Sequence, residues 1–239
     1  MISHKAAVAL SLTLALLAAP ASAATAEDGP KAIAGTWLAD RFPEHLQTIE
    51  GKEPPLNTDG AELYRANLAD SRTAQPQFDR TRWCAGPGLP RIMFMPTPFE
   101  IIPNPGMVGF VYGWYRWHQT VDMSGMEFEP QLPQPMGYSV GRWEGDTLAI
   151  RTNGLASDTI LDAGGLPHSD DMVLEEWLHV APDGRLHTRF RITDPEFYSA
   201  PWEVEMTYHR LRKQRVTDDV CPDRIAAGRP AIVRAKEAR

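Results

Sequence analysis

Two runs of alternating apolar and polar residues, separated by Gly145 and Asp146, occupy residues 138–155. A Gly-Asp pair between such runs is typical of a two-residue β-hairpin turn. With this turn, the register places Ser139 opposite Thr152 on one face. That face is mainly apolar and the other carries the charges, as a half-buried antiparallel sheet requires.

A second pair of alternating runs flanks residues 181–184, whose sequence APDG allows two different turns. A two-residue Asp-Gly turn mixes apolar and charged residues on both faces, whereas a type I turn with a bulge at Gly184 separates them. The bulged register therefore predicts that Trp177 lies opposite Arg189. It also places Glu176 on the apolar face, between two leucines. Because a buried carboxylate must be paired, hydrogen-bonded or protonated, Glu176 becomes a candidate functional residue.

The remaining patterns predict further strands and one helix. Alternation predicts a last strand over residues 202–209, and β-forming residues predict strands over 91–95, 99–102 and 107–123. Apolar residues at helical spacing predict a short helix over about 60–70. Gly35-Thr36-Trp37 is a G-x-W pattern like the one near the first strand of lipocalins. These elements predict a mainly β protein.

The first residues predict export. Lys5 precedes an apolar run over residues 6–19, and Ala21-Ser22-Ala23 follows as a small-x-small cleavage site. This pattern is typical of a secretory signal peptide, here residues 1–23, and its apolar core is too short for a permanent membrane span. No other stretch approaches membrane length, so we expect a periplasmic or secreted bacterial protein without a membrane span.

Charge and missing motifs exclude several classes of function. The net charge of −7 at pH 7 argues against nucleic acid and anionic membrane surfaces as partners. The chain has no phosphate-cradling P-loop, no dinucleotide fingerprint and no G-x-S-x-G elbow, which argues against NTPases, nicotinamide-dependent enzymes and α/β-hydrolases. The sequence after residue 23 is long enough for one β domain with a substantial core.

The chain has two cysteines, Cys84 and Cys221. An even number of cysteines in an oxidising compartment predicts a disulfide. This bond would tie the C-terminal tail to the start of the sheet. A reactive thiol has less support, because neither cysteine lies in a C-x-x-C motif or beside a histidine.

Several motifs together resemble a large group of mostly uncharacterised exported bacterial proteins that share a G-R-W-E-G-D-T-L hairpin. The matching segments are PFEII at 98–102, GRWEGDTL at 141–148, HSD at 168–170, DP at 194–195 and PW at 201–202, together with both cysteines. The resemblance covers about residues 84–222 and implies an antiparallel, lipocalin-like (calycin-type) β-barrel, here with a short N-terminal helix. It implies little about the reaction. The group's Glu after His-Ser-Asp falls on Glu176.

The chain departs from the group's pattern in one strand. Residues 112–119 contain Gly113, Trp114 and His118 where the group has an acidic residue and several arginines. This difference implies a more aromatic pocket. The predicted organisation is a signal peptide (1–23), an N-terminal strand with a Pro-rich segment and helix (24–83), the barrel (84–222) and a tail (223–239).

Acid/base chemistry without a cofactor is what the remaining candidate residues support best. A His oriented by a carboxylate, or a Glu whose pKa is raised by desolvation, can move a proton near neutral pH. The predicted catalytic residues are His118, His168, Asp170 and Glu176, with Asp170 orienting an imidazole. The predicted substrate-binding residues are Tyr112, Trp114, Arg116, Tyr198 and Trp202, with Arg116 stabilising negative charge.

Each of these assignments has a structural alternative. His168 and Asp170 would also serve to order the long loop over residues 153–171, and Glu176 would also pair with Arg116 or another arginine. The aromatic residues would also form core, and a metal held by the four candidate catalytic residues is a further alternative. The leading hypothesis is a lyase, isomerase or hydratase acting on a hydrophobic small molecule, with aromatic compounds included, in a barrel cavity. A non-catalytic periplasmic carrier and an envelope-associated structural protein are the others.

Overall fold

A closed β-barrel forms the body of the protein. The computed structural model describes residues 28–126, 132–217, 220–229 and 231, so the signal peptide predicted for residues 1–23 lies outside the described residues. The strands within these ranges are β1 (Gly35–Ala39), β2 (Phe99–Asn104), β3 (Met107–Tyr112), β4 (His118–Asp122), β5 (Tyr138–Glu144), β6 (Thr147–Asn153), β7 (Val173–Val180), β8 (Leu186–Thr193) and β9 (Trp202–Arg210). Each strand pairs with the next, and β9 pairs with β1 to close the sheet. The mainly β prediction is confirmed.

Short helices surround the barrel. They are α1 (Asp28–Ile33), α2 (Thr58–Asp70), a 3₁₀ helix (Arg80–Trp83), α3 (Arg91–Phe94) and α4 (Cys221–Ala226). The helix predicted at about 60–70 is therefore confirmed as α2. It begins after Asn57, whose side chain accepts a hydrogen bond of 2.9 Å from the backbone N–H of Gly60. No helix among the described residues is long and apolar enough to cross a membrane.

Both predicted hairpins have the registers that their apolar patterns indicate. In β5–β6, Ser139 pairs with Thr152, and in β7–β8, Trp177 pairs with Arg189. The second turn is the bulged one: Gly184 has a φ of 80° and donates to the Ala181 carbonyl. A cation–π contact on Trp177 is made by Arg191, whose guanidinium lies 5.6 Å from the ring centroid and which is two residues from the directly opposite Arg189.

The sheet departs from a wholly antiparallel barrel at one joint. β4 and β5 are parallel, and their ladder consists of Val121 with Ser139 and Asp122 with Val140. A closed sheet with an odd number of strands cannot alternate direction all the way around, so one parallel pair is required. The long link between β4 and β5 permits it, because a parallel connection must return along the barrel before the next strand begins.

Two strand predictions are wrong. Residues 91–94 form helix α3, because a short apolar run fits a buried strand and a buried helix equally well. The run over 107–123 is two strands joined by a tight turn at Gly113–Trp117, in which Tyr115 and Arg116 have φ of 40° and 58°. Aromatic side chains through this turn conceal it, because they are typical of strands.

Aromatic side chains fill much of the barrel interior. Phe99 lies at the centre of a group of rings, with its centroid 5.2 Å from Tyr208 and 5.9 Å from Tyr112. Phe94, from α3, makes an edge-to-face contact of 5.1 Å with Phe190 on β8. The interior is thus a packed aromatic core in this part, and polar side chains inside it require a specific explanation.

The predicted disulfide is confirmed. Cys84 follows the 3₁₀ helix and is bonded to Cys221 at the start of α4. Arg224 on α4 also lies over the ring of Trp114, 5.4 Å from its centroid. The tail is therefore attached to the barrel by one covalent bond and by at least one further contact.

Candidate functional site

Glu176 is the carboxylate at the centre of the candidate site. It lies on β7, paired with Ile150 on one side and Phe190 on the other, and its side chain is completely buried. The side-chain amide of Gln119 lies 3.5 Å from Oε2 and is its donor, while Oε1 has no hydrogen-bond partner. Burying an unpartnered carboxylate oxygen among aromatic rings lowers the stability of the folded protein. Hydrophobic packing therefore does not explain why a glutamate occupies this position.

A chain of hydrogen bonds runs from Glu176 across the interior. The Gln119 amide also donates to the Ser139 hydroxyl at 3.0 Å, and Ser139 lies 2.8 Å from the Thr152 hydroxyl. The Tyr112 hydroxyl donates to Gln119 Oε1 at 2.9 Å. Every polar atom of the Gln119 side chain is used in this way, so its amide is held in one orientation against Glu176.

Burial is the main cause of the shifted pKa of Glu176. It raises the pKa of Glu176 to about 7, and the hydrogen bond from Gln119 opposes the rise only in part. No cationic side chain contributes to the shift. Burial also raises the pKa of Tyr112 and Tyr208 well above its usual range, and the charge of Glu176 adds to both shifts. Near neutral pH the carboxyl is therefore present in both its protonated and its ionised form, while both phenols stay protonated.

A pocket of about 440 Å³ lies between β4 and β5, where the parallel ladder is short. The buried side chains of Gln119 and Ser139 belong to its lining, so the pocket adjoins the hydrogen-bond chain that leads to Glu176. Its other walls include Trp117, His118, Pro135, Met136 and Tyr138. This volume is typical of small-molecule sites, and the lining combines apolar residues with further polar ones, Thr120, Asp122 and Gln134.

A glycine fixes one wall of the pocket. A Cβ on Gly86 would lie 2.8 Å from the indole of Trp117 and 2.6 Å from the ring of Pro135, closer than packed atoms allow. The absence of a side chain at Gly86 therefore lets both residues pack against the chain beside Cys84. The disulfide-bonded segment thus supports one side of the pocket.

His118 lies in the wall of this pocket and not in the barrel interior. Its neighbour Gln119 points inward, so the ring of His118 faces outward and is exposed. Its Nδ1 is 3.5 Å from the Arg116 carbonyl. His118 therefore lines the pocket from the outer face of β4, whereas Glu176 on β7 lies in the barrel interior and is reached from the pocket lining only through Gln119.

His168 and Asp170 are in a different place from Glu176 and do not form the expected pair. Both imidazole nitrogens of His168 are occupied, Nε2 by the Thr159 hydroxyl at 2.7 Å and Nδ1 by the Ser169 carbonyl at 2.9 Å. Asp170 is exposed and accepts from the Ser157 N–H at 2.6 Å. The expectation that Asp170 orients the imidazole is therefore wrong, and the geometry favours the structural alternative in which both residues order the loop.

Burial lowers the pKa of His168, so its ring is neutral near pH 7. Because a carbonyl can only accept, Nδ1 carries the proton and donates to Ser169, while the Thr159 hydroxyl lies between Nε2 at 2.7 Å and the Ala156 carbonyl at 3.0 Å. We expect His168→Ala to lower the free energy of unfolding by about 1–3 kcal/mol, because it leaves buried groups unsatisfied. Urea unfolding monitored by fluorescence would measure this loss. His118→Ala is the matched control and should change stability little; equal stabilities for both variants would refute the loop-ordering role.

The predicted substrate-binding residues are dispersed. Tyr112 is in the interior hydrogen-bond chain, whereas Trp114 is buried beneath Arg224 and Arg116 is exposed in the tight turn after β3. Tyr198 donates to the Pro167 carbonyl at 2.8 Å, and its ring centroid is 5.5 Å from that of Trp202. Of these five residues, Tyr112 is the one that joins the hydrogen-bond chain to Glu176, because its hydroxyl donates to Gln119.

The alternative of a metal held by the four candidate catalytic residues has no geometric support. Among the described residues, no group of three or more His, Cys, Asp or Glu side chains is arranged to hold a metal ion.

The alternative in which Glu176 pairs with Arg116 is likewise not formed. The hydrogen-bond donor of Glu176 is Gln119, and no arginine contributes to the shift of its pKa.

No protein-family model matches the chain, and no curated protein matches it. The resemblance to exported bacterial proteins with the GRWEGDTL hairpin therefore stays a prediction.

The residues that the sequence analysis did not select are Gln119, Ser139, Thr188 and Tyr208. One of them carried a recognisable signal, because Ser139 lies opposite Thr152 and the two form a pair of hydroxyls on the apolar face of the predicted hairpin. Gln119 carried none, since the apparent single strand over 107–123 hid which of its residues face inward.

Proposed function

We propose that this protein is a cofactor-independent acid/base enzyme, a lyase, isomerase or hydratase, acting on a hydrophobic small molecule, with aromatic compounds as the first candidates. The observation that carries the proposal is Glu176: a completely buried carboxyl with one unpartnered oxygen and a pKa raised to about 7. A carboxyl with this pKa accepts and returns protons efficiently near neutral pH.

The surroundings of Glu176 supply the other parts that such an enzyme needs. The β4–β5 pocket offers apolar walls for the body of the substrate, and Gln119 connects its lining to the carboxyl. The phenol of Tyr208, protonated near neutral pH and without a hydrogen-bond partner, would be a donor for negative charge that develops on the substrate. His118, in the pocket wall, is positioned as a second proton carrier.

We also propose that the barrel is of the lipocalin-like, calycin type and that the protein is exported to the periplasm or secreted. The G-x-W sequence at the first strand supports the first part, and the Cys84–Cys221 disulfide supports the second, since such bonds persist in oxidising compartments.

The test is a turnover assay with a panel of aromatic and terpenoid compounds, with products followed by mass spectrometry. We expect Glu176→Gln to reduce kcat at least about 100-fold and His118→Ala to reduce it about 10-fold, as for the loss of a general acid or base. Glu175→Gln is the matched control, because Glu175 is adjacent in sequence but on the outer face, 3.9 Å from Arg151. Turnover that survives in Glu176→Gln would refute the proposal.

A non-catalytic carrier is the second candidate. It is favoured by the dispersal of the candidate residues, since His118, His168 and Asp170 do not join Glu176 in the interior. In the same panel, a carrier would bind compounds with wild-type and Glu176→Gln protein alike and yield no product in either.

A further inference from the structure

Two histidines lie directly opposite each other on the outer face of the barrel. His179 on β7 pairs with His187 on β8, and their ring centroids are 5.6 Å apart. Both side chains point away from the core, because their neighbours Leu178 and Thr188 are buried and side chains alternate along a strand. The register therefore holds two imidazoles side by side, on the other side of the sheet from Glu176.

One ring nitrogen of this pair has no hydrogen-bond partner. His187 Nε2 is shielded from solvent, and no described residue donates to it or accepts from it. Asp183 Oδ2 lies 3.8 Å away, which is too far for a hydrogen bond. A shielded polar atom without a partner is uncommon in folded proteins, so this nitrogen points to a ligand of the pair.

The spacing of the two rings fits a single metal ion held by both. A transition-metal ion lies about 2.1 Å from an imidazole nitrogen and therefore about 3.2 Å from the ring centroid. Two rings that hold one ion at a tetrahedral angle have centroids about 5.2 Å apart. The observed 5.6 Å is close to this separation, so rotation of the two partly exposed rings brings a nitrogen of each to the ion without movement of the strands.

We propose that His179 and His187 together bind one divalent transition-metal ion, with water in its remaining coordination positions. Imidazole nitrogens suit Cu²⁺, Zn²⁺ and Ni²⁺, whereas Ca²⁺ and Mg²⁺ prefer oxygen ligands. The pair supplies two protein ligands, so it is an open site and differs from a centre of three or more such side chains, which the described part of the chain does not contain.

The charges around the pair permit a cation. Arg185 and Arg189 flank His187 in the sequence, and each is ion-paired with a carboxylate, at 2.9 Å and 3.2 Å respectively. Asp183 places a further carboxylate beside His187. A metal ion at the two rings would therefore meet arginines that are already neutralised and one nearby negative charge.

Space for the water ligands lies beside the pair. A pocket of about 370 Å³ is lined by both histidines and by Thr147, Trp177 and Arg189, among others. An ion with open positions next to a pocket can exchange water for a further small ligand, as catalytic zinc sites do. This site goes beyond the proposed function and does not rest on it, because Glu176 faces the barrel interior.

The test is calorimetry with zinc chloride at pH 7.5 on the purified full-length protein, without an affinity tag and freed of metal with a chelator. We expect one zinc ion per chain, bound at least about 10-fold more weakly by His179→Ala and by His187→Ala, because each loses one of two ligands. Copper(II) should bind more tightly than zinc, and calcium should not bind.

His209→Ala is the matched control. His209 is an exposed histidine of the neighbouring strand β9, and its Nδ1 lies 2.9 Å from Asp40. This variant should bind zinc as wild type does. Loss of zinc binding in His209→Ala but not in His187→Ala would place the ion at Asp40 and overturn the inference.

Stability gives a second readout. Saturating zinc should raise the midpoint of urea unfolding for wild type and for His209→Ala, but not for the double variant His179→Ala/His187→Ala, because the ion binds the paired histidines of the folded state. A wild type that binds no zinc, or a double variant that binds it equally well, would overturn the inference. Either result would leave the proposal for Glu176 standing.

Discussion

Glu176→Gln is expected to raise the free energy of unfolding at pH 8 by about 3 kcal/mol, even though it removes a group proposed to be essential for activity. The pKa of Glu176 is about 7 in the folded protein, against 4.5 as the ordinary value. Each unit of difference corresponds to about 1.4 kcal/mol. Ionising this buried carboxyl therefore destabilises the folded state, and a neutral amide of the same shape avoids that cost.

The sign of the pH dependence follows from the raised pKa. Protonated Glu176 favours folding, so its contribution is fully present below about pH 4.5 and is lost as the pH rises to about 7. Wild type and Glu176→Gln should have nearly equal stabilities at pH 4 and should diverge up to pH 8. The difference between the two proteins isolates Glu176 from other groups with shifted pKa values, such as Asp162 and His168.

Urea unfolding at pH 4, 6 and 8 measures this divergence, with Glu175→Gln as the control that should follow wild type throughout. A wild-type protein as stable as Glu176→Gln at pH 8 would show that Glu176 finds a compensating partner in solution. The combination of higher stability with lost turnover would be the signature of a residue kept for function.

Removal of the disulfide is expected to have the largest effect on stability. The bond joins residues separated by 137 positions, so breaking it frees a very long loop in the unfolded chain. In the chain-entropy account, a loop of this length corresponds to about 4–5 kcal/mol. We expect the Cys84→Ala/Cys221→Ala variant to lose about this much free energy of unfolding, as measured by urea unfolding at pH 7.

Reduction provides the control for this prediction. Dithiothreitol should lower the stability of wild type to nearly that of the double variant and should not affect the variant itself. The segment beside Cys84 supports the pocket through Gly86, so ligand binding should weaken in the same samples. A variant within about 1 kcal/mol of wild type would indicate that the unfolded chain retains structure near the two cysteines.

Much of the barrel could be predicted because polarity alternates clearly in its later strands. The turns at Gly145 and Gly184 set the two registers, and each register is the one that separates apolar from charged residues. Prediction failed where that pattern was absent. The segment at 91–94 is buried whichever structure it forms, and in the turn after Tyr112 the positive φ angles belong to Tyr115 and Arg116, where Gly or Asn is usual.

The candidate site could be predicted only in part, for a related reason. Glu176 was found because its register conflicts with its charge. His168 and Asp170 are neighbours in sequence, but their partners Thr159 and Ser157 come from distant parts of the loop, and no sequence pattern specifies such contacts. Gln119 is a polar residue of ordinary type, and its role depends on facing the interior beside Ser139.

The parallel joint gives this barrel a seam. Everywhere else the wall is an antiparallel ladder, whereas β4 and β5 share only two residue pairs. Few hydrogen bonds must break for the wall to part there, so the seam should exchange its amide hydrogens faster than the hairpins on either side. Because the side chains that close it inside are Gln119 and Ser139, opening would lead directly toward Glu176 without loosening the other strands. The parallel β4–β5 pair, which the odd number of strands requires, would then also be the route by which a ligand enters the barrel.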